Sequence, residues 1–122
     1  MFQHVNNVSQ QMYFDLGKAD FYRQVLQDDV LSGTSRIITA ATANSFKEQI
    51  RMEDDIYVTT TVAKVGNKSI TLFQQIIGRN AAGRETVKTE STSGMVAFDF
   101  DRQESVTVPE RWRRNLADYL RG

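Results

Sequence analysis

Ile56-Tyr57-Val58-Thr59-Thr60-Thr61-Val62-Ala63-Lys64-Val65-Gly66-Asn67, followed by Ser69 to Ile77, is the stretch that decides the fold. Its apolar residues recur with period two. Ile56, Val58, Thr60 and Val62 share one face of an extended strand, and Tyr57, Thr59, Thr61, Ala63 and Val65 the other. Gly66-Asn67 suits the left-handed backbone of a tight turn, so the whole reads as a β-hairpin.

Reading outward, the turn Asn80-Ala81-Ala82-Gly83 leads into another long strand, about Thr86 to Phe100, and a β-branched segment, about Ser35 to Phe46, precedes the hairpin. Upstream the period changes. From about Asn7 to Leu31 there is no proline and only Gly17, while Met12, Leu16, Ala19, Val25 and Leu26 recur at near-helical spacing with Tyr13, Phe14, Phe21 and Tyr22 between them. Apolar groups thus cover most of the circumference, which predicts a helix enclosed on several sides. Asn6 or Asn7 supplies its cap, and Gly33 stands just past its end. Pro109, the only proline, precedes a short helix from about Glu110 to Leu120. A helix of about 24 residues is roughly 36 Å long, and strands of about ten residues span roughly 33 Å. One twisted antiparallel sheet can therefore wrap the whole helix. The fold class is α+β: a long central helix, a curved antiparallel sheet around it and a short C-terminal helix.

At 122 residues, without repeat or linker, the chain is expected to form a single domain spanning residues 1–122. Fifteen basic and fifteen acidic residues balance, so no whole-molecule field draws the protein to nucleic acid or to a membrane surface. Arg111, Arg113 and Arg114 flank the stripe Trp112, Leu116, Tyr119 and Leu120, and read as a solvated face. The absence of cysteine removes thiol nucleophiles, thiolate metal sites and disulfides, and one histidine cannot build a multi-histidine zinc site. No metal is expected. Asp54-Asp55 and Asp99-Asp101 read as solvated turn residues, since no calcium-loop spacing surrounds them. With only short apolar runs, a cytoplasmic location is expected.

The order of these strings resembles the hot-dog fold of the 4-hydroxybenzoyl-CoA thioesterase family of acyl-CoA thioester hydrolases, along essentially the whole chain. Gln3-His4-Val5-Asn6-Asn7-Val8 looks like the helix-entry motif of these enzymes and of the related plant acyl-carrier-protein thioesterases. Tyr13-Phe14-Asp15 falls on the family's aromatic pair and acid, Glu53-Asp54-Asp55-Ile56 on its acidic turn, Val65-Gly66-Asn67-Lys68-Ser69 on its hairpin, and Phe98-Asp99 with Pro109-Glu110 on its exit into the last helix. Gln3 stands where many relatives have glycine, and Gln10 where they commonly have an aromatic residue.

The resemblance implies a thioesterase acting on acyl-CoA or acyl-carrier-protein thioesters, with coenzyme A as part of the substrate and no other cofactor. Its active sites would lie between subunits of a homodimer or homotetramer. The backbone amide of Asn7 then polarises the thioester carbonyl, and His4 matches the histidine implicated in catalysis in the plant enzymes. On physical grounds alone a lone histidine beside a helix start, as His4 is, more often serves as a structural donor to a backbone carbonyl, and Asn6 and Asn7 serve as helix caps; a cap that fixes the first turn also aims its free amides. Lys68, with Asn67 and Lys64, falls where relatives place basic residues near the phosphates of coenzyme A, although lysines around an exposed turn are also ordinary.

Against the family pattern, the catalytic aspartate would fall immediately before Met1, together with the first strand. The expectation is therefore a start assigned at an internal methionine, or a truncation, and a 122-residue form that lacks this group. The rival reading is a non-catalytic hot-dog dimer that binds acyl thioesters or serves as an interaction module.

Overall fold

The computed structural model describes residues 7–26, 35–51 and 54–120. Its elements in chain order are α1 (Asn7–Phe21), continued by a π-helical turn Tyr22–Leu26, then β1 (Ser35–Phe46), β2 (Asp55–Val65), β3 (Ser69–Arg79), β4 (Glu85–Asp99), a two-residue β5 (Glu104–Ser105) and α2 (Glu110–Ala117). The strands form one antiparallel sheet in the order β1-β4-β3-β2, with β5 added to the end of β4. Expected and observed strands agree to within a residue or two at most ends.

The inner face of the sheet is set by alternation. On β3, Ile70, Leu72, Gln74, Ile76 and Gly78 are buried in turn, and on β4 so are Thr89, Ser91, Ser93, Met95 and Ala97. Two apolar clusters result. The larger joins Phe21, Tyr22, Val25 and Leu26 of the helical segment to Ile37, Val62, Ile70, Leu72, Met95 and Ala97 of the sheet, and to Val108, Trp112 and Leu116, which close that end. The smaller joins Phe14 to Ile50 and Ile76, with Tyr13, Ile56 and Val58 against it. Between them lies a polar waist of Gln74, Ser91, Ser93 and Lys18.

Four expectations are corrected. Within one chain helix α1 is covered on one face and not on several sides: among the described residues Met12 and Leu16 are 59% and 65% exposed, since the sheet covers only the face carrying Phe14, Lys18 and Phe21. Neither Gly66 nor Asn67 is left-handed; the turn closes through the Gly66 amide donating to the Ser69 carbonyl, and among the described residues the left-handed ones are Gly83 and Gln103. A bulge at Ala63 interrupts the β2 alternation, so Val65 joins Val62 on the core side instead of the outer face. The terminal helix buries Trp112 and Leu116, but Tyr119 and Leu120 remain about half exposed, and Arg113 is not merely solvated: its guanidinium donates to the Gly66 carbonyl at 2.9 Å. Residues 27–34, and with them the expected helix end near Leu31 and Gly33, lie outside the described residues.

Candidate functional site

Helix α1 begins at Asn7. A helix start leaves its first-turn amides without a carbonyl one turn back to bond, and the summed peptide dipoles give such an end a partial positive charge. Directional contacts fix this end over the sheet. The Thr89 hydroxyl donates to the Gln10 side-chain oxygen at 2.6 Å, the Asn44 amide to Gln11 at 3.2 Å, and the buried Gln74 amide to the Phe14 carbonyl at 2.9 Å. Gln10, at the position where the family resemblance leads one to expect an aromatic residue, is therefore a buried polar anchor, only 6% exposed. His4 and Asn6 lie outside the described residues, as do the side chains of Asn7 to Ser9.

At the same end of the sheet a charged pocket of about 500 Å³ opens, lined by Glu48, Arg51, Asp54, Asn80, Arg84 and Lys88 among others. A bulge builds it. In the β3–β4 ladder Ile76 pairs with Thr89 but Ile77 pairs with Val87, so Lys88 is the extra residue and turns inward beside Thr89. Its aliphatic stem lies across Gly78, where a Cβ would stand 2.6 Å from the lysine Cε. The ammonium reaches Glu48 at 3.3 Å and Asp54 at 3.4 Å. The Arg51 backbone N–H, donated to the Asp54 carboxylate at 2.9 Å, holds that carboxyl below the usual range, with Lys88 adding to the effect. Glu48 is lowered first by a hydrogen bond from Thr86 and then by Lys88. Asp54 is thus a buried ion-pair member, its side chain 2% exposed, and not the solvated turn residue its place before a strand implies. Asp99 does behave as a turn residue: its carboxylate accepts the amides of Asp101 and Arg102.

The hairpin residues Lys64, Asn67 and Lys68 are all exposed, at the other end of the sheet. From Ile70, beside the hairpin, to Ile76, opposite Thr89, six residues of β3 span roughly 20 Å. Within one chain the structure does not bring this group to the start of α1. The loop's backbone is engaged elsewhere: the Asn67 carbonyl accepts Val108 N–H at 2.9 Å, and the Lys68 carbonyl accepts Ala97 N–H at 3.0 Å. At the helix-entry end of the sheet the charged pocket carries its own cations, Arg51, Arg84 and Lys88, and sequence spacing did not single out Lys88. A lysine in a β-run gives no sign that a bulge will turn it inward.

Residues 1–116 match the thioesterase-like superfamily. The chain belongs to this family. No curated protein matches the sequence significantly. Among solved structures, this thioesterase-like chain is similar to a predicted thioesterase from Bacillus stearothermophilus, with TM-score 0.82 at 21% identity over 98% of this chain and 85% of that one. It is similar also to a 4-hydroxybenzoyl-CoA thioesterase variant complexed with 4-hydroxybenzoyl-CoA, with TM-score 0.81 at 12% identity over 93% and 86%. A thioesterase from Thermus thermophilus, complexed with coenzyme A and zinc, gives TM-score 0.79 at 16% identity over 96% and 81%. At these identities the likeness establishes the fold, the hot-dog arrangement of a helix against a curved antiparallel sheet.

Proposed function

We propose that this member of the thioesterase-like superfamily hydrolyses acyl thioesters of coenzyme A or of a carrier protein at the N-terminus of α1. The observation that carries the reading is the anchoring of the N-terminal part of α1, described from Asn7, over the sheet by Gln10, Gln11 and the Phe14 carbonyl, in a chain that matches the family almost end to end. Thioester hydrolysis develops negative charge on the carbonyl oxygen, and preorganised amides at a helix start are suited to receive it. In this reading the Asn7 amide polarises the carbonyl, His4 assists proton transfer and Asn6 shapes the first turn. Lys68, with Asn67 and Lys64, meets the phosphates of coenzyme A.

Because the hairpin and the helix start stand at opposite ends of one chain, the reading requires a second copy. Support comes from β1, which pairs with β4 alone among the described strands. Residues 38–49 are exposed along both faces, Phe46 to 51%, and a twelve-residue edge of this kind is a ready template for a further strand. A two-fold pairing of β1 edges gives a homodimer, or half of a homotetramer. The test is release of free thiol from a panel of acyl-CoA and acyl-carrier-protein thioesters, with oligomeric mass measured in parallel. Turnover above the spontaneous rate by an oligomer is expected; background rates across the whole panel refute the proposal.

A further inference from the structure

On α1 and the π-helical turn that continues it, Asn7, Gln11, Asp15, Lys18 and Tyr22 follow one another at separations of four, four, three and four, and so form one stripe along the helical segment. Below its far half lies a cavity of about 340 Å³, walled by Asp15, Lys18 and Tyr22 from the helical segment and by Ile37, Thr39 and Met95 from β1 and β4. Most of that wall is apolar, and among the described residues the sheet contributes no charge to it. Two donors nevertheless stand in it: the Tyr22 hydroxyl, which is unpartnered among the described residues, and the Lys18 ammonium, whose acceptor is a single distant carboxylate. Lys18 is 5% exposed, and its one ionic neighbour among the described residues is Asp15 at 4.0 Å, whose side chain is 61% exposed. Tyr22 is 4% exposed, and among the described residues its hydroxyl has no hydrogen-bond partner. Thr39 is already engaged with the Met95 sulfur at 3.5 Å.

A buried ammonium and a buried unpartnered phenol are costly in an apolar wall, where a methionine and a phenylalanine would fill the same space without that cost. Burial pushes the Lys18 ammonium below the ordinary lysine range, with Asp15 partly opposing, and pushes the Tyr22 phenol up. Both groups are donors and both face the same space. The ligand that satisfies them carries oxygen acceptors with negative charge on an apolar body.

We propose that this cavity seats the distal carboxylate of an acyl group, held by the Lys18 ammonium and the Tyr22 hydroxyl. The proposal rests on the thioesterase reading for the other end of that acyl group, which would lie at the Asn7 amide on the same helix stripe. From Asn7 to the level of Asp15, which Lys18 reaches back to, eight residues of helix rise roughly 12 Å. The substrate class is therefore a medium-chain dicarboxylic acid held as its monothioester.

The test compares sebacoyl-CoA with decanoyl-CoA, the same chain with and without the far carboxylate, and separately titrates free sebacate into protein carrying carbon-13 at the lysine ε-carbons. Sebacoyl-CoA is expected to have the higher kcat/KM. The preference should fall about thirtyfold in Lys18→Met, as for loss of a charge-assisted hydrogen bond, and about fivefold in Tyr22→Phe. Sebacate should shift the Lys18 signal of the wild-type protein saturably. Preference unchanged in folded Lys18→Met, or no shift of the Lys18 signal, overturns the proposal. Should neither thioester be hydrolysed, the titration decides: a saturable shift upholds the carboxylate seat while the thioesterase reading fails, and no shift ends both.

Discussion

Replacing Gly17 by alanine sets two effects of similar size against each other, and the structure decides between them. In an exposed helix the change gains about 1 kcal/mol of helix propensity. At Gly17, however, α1 lies close over the sheet. A Cβ there would stand 3.0 Å from the Gln74 side-chain nitrogen and 3.0 Å from a Val58 methyl, with the Thr60 hydroxyl at 3.5 Å. Gln74 is fully buried and cannot swing away, because its amide is held by the Phe14 carbonyl at 2.9 Å and the Thr60 hydroxyl at 3.1 Å. Either α1 lifts or the Gln74 bonds break. Overpacking of this kind costs about 1–3 kcal/mol, and a lost buried hydrogen bond about 1 kcal/mol more.

The sum favours destabilisation, by about 2 kcal/mol after the propensity gain is subtracted. Urea unfolding followed by far-ultraviolet circular dichroism measures it directly, with an unchanged m-value showing that the denatured state is unaffected. The mechanism is checked by the double variant. If Gln74 is the obstacle, Gly17→Ala costs about 1 kcal/mol less in a Gln74→Ala background, a coupling of the size that contacting residues show. A Gly17→Ala protein as stable as wild type, or more so, would mean that the helix has clearance and that the polar waist does not fix its height.

Three further outcomes follow from other parts of the molecule. The Asp54 carboxyl is held below its unfolded pKa of about 3.9, so its contribution is fully present above that value and is lost as pH falls through the lower folded pKa. Thermal unfolding of wild type and Asp54→Asn from about pH 6 to about pH 2 should show the wild-type advantage shrinking over that acidic window; an advantage constant with pH contradicts the assignment. For the proposed chemistry, His4→Ala should lower turnover about a hundredfold without changing the unfolding temperature, the loss usual for a general acid–base group. Wild-type turnover would reduce His4 to a structural residue. The β1 edge predicts a sedimenting species of at least twice the monomer mass, and a strictly monomeric protein with turnover would remove the need for a second copy.

Strand positions were legible because period-two alternation is a property of the backbone, which neighbours cannot alter without breaking the pairing. Ser35–Phe46 emerges with the bounds its β-branched run implies. What alternation cannot show is an inserted residue. The bulge at Ala63 moves Val65 to the core side, and the bulge at Lys88 turns a lysine inward over Gly78. The resulting ion pairs with Asp54 and Glu48 join segments 34 and 40 residues apart, too distant for spacing to connect. The apolar circumference of α1 was legible as well, but not which part of it the sheet would cover. Leu16 and Phe14 are equally apolar, and only the position of β3 under Phe14 separates them. The stripe of Lys18 and Tyr22 gave no signal, since a lysine on a helix is ordinarily solvent-facing.

Apolar packing and hydrogen bonding divide the work along the helical segment of residues 7–26, and the division bears on where chemistry can occur. The half from Phe21 to Leu26 is held by a broad apolar cluster, which tolerates small rotations because dispersion contacts are many and non-directional. The half from Asn7 to Phe14 rests on few apolar partners but on three directional contacts: Gln10 to Thr89, Gln11 to Asn44 and the Phe14 carbonyl to Gln74. Hydrogen bonds specify distance and angle, and lose strength steeply when either departs from its optimum. A thioester carbonyl served by the Asn7 amide would need that accuracy, since oxyanion donors act only within a narrow range of the reacting atom. The polar waist of an otherwise apolar sheet face is then the means by which the helix entry is aimed, and loosening Gln74 should reduce turnover before it unfolds the protein.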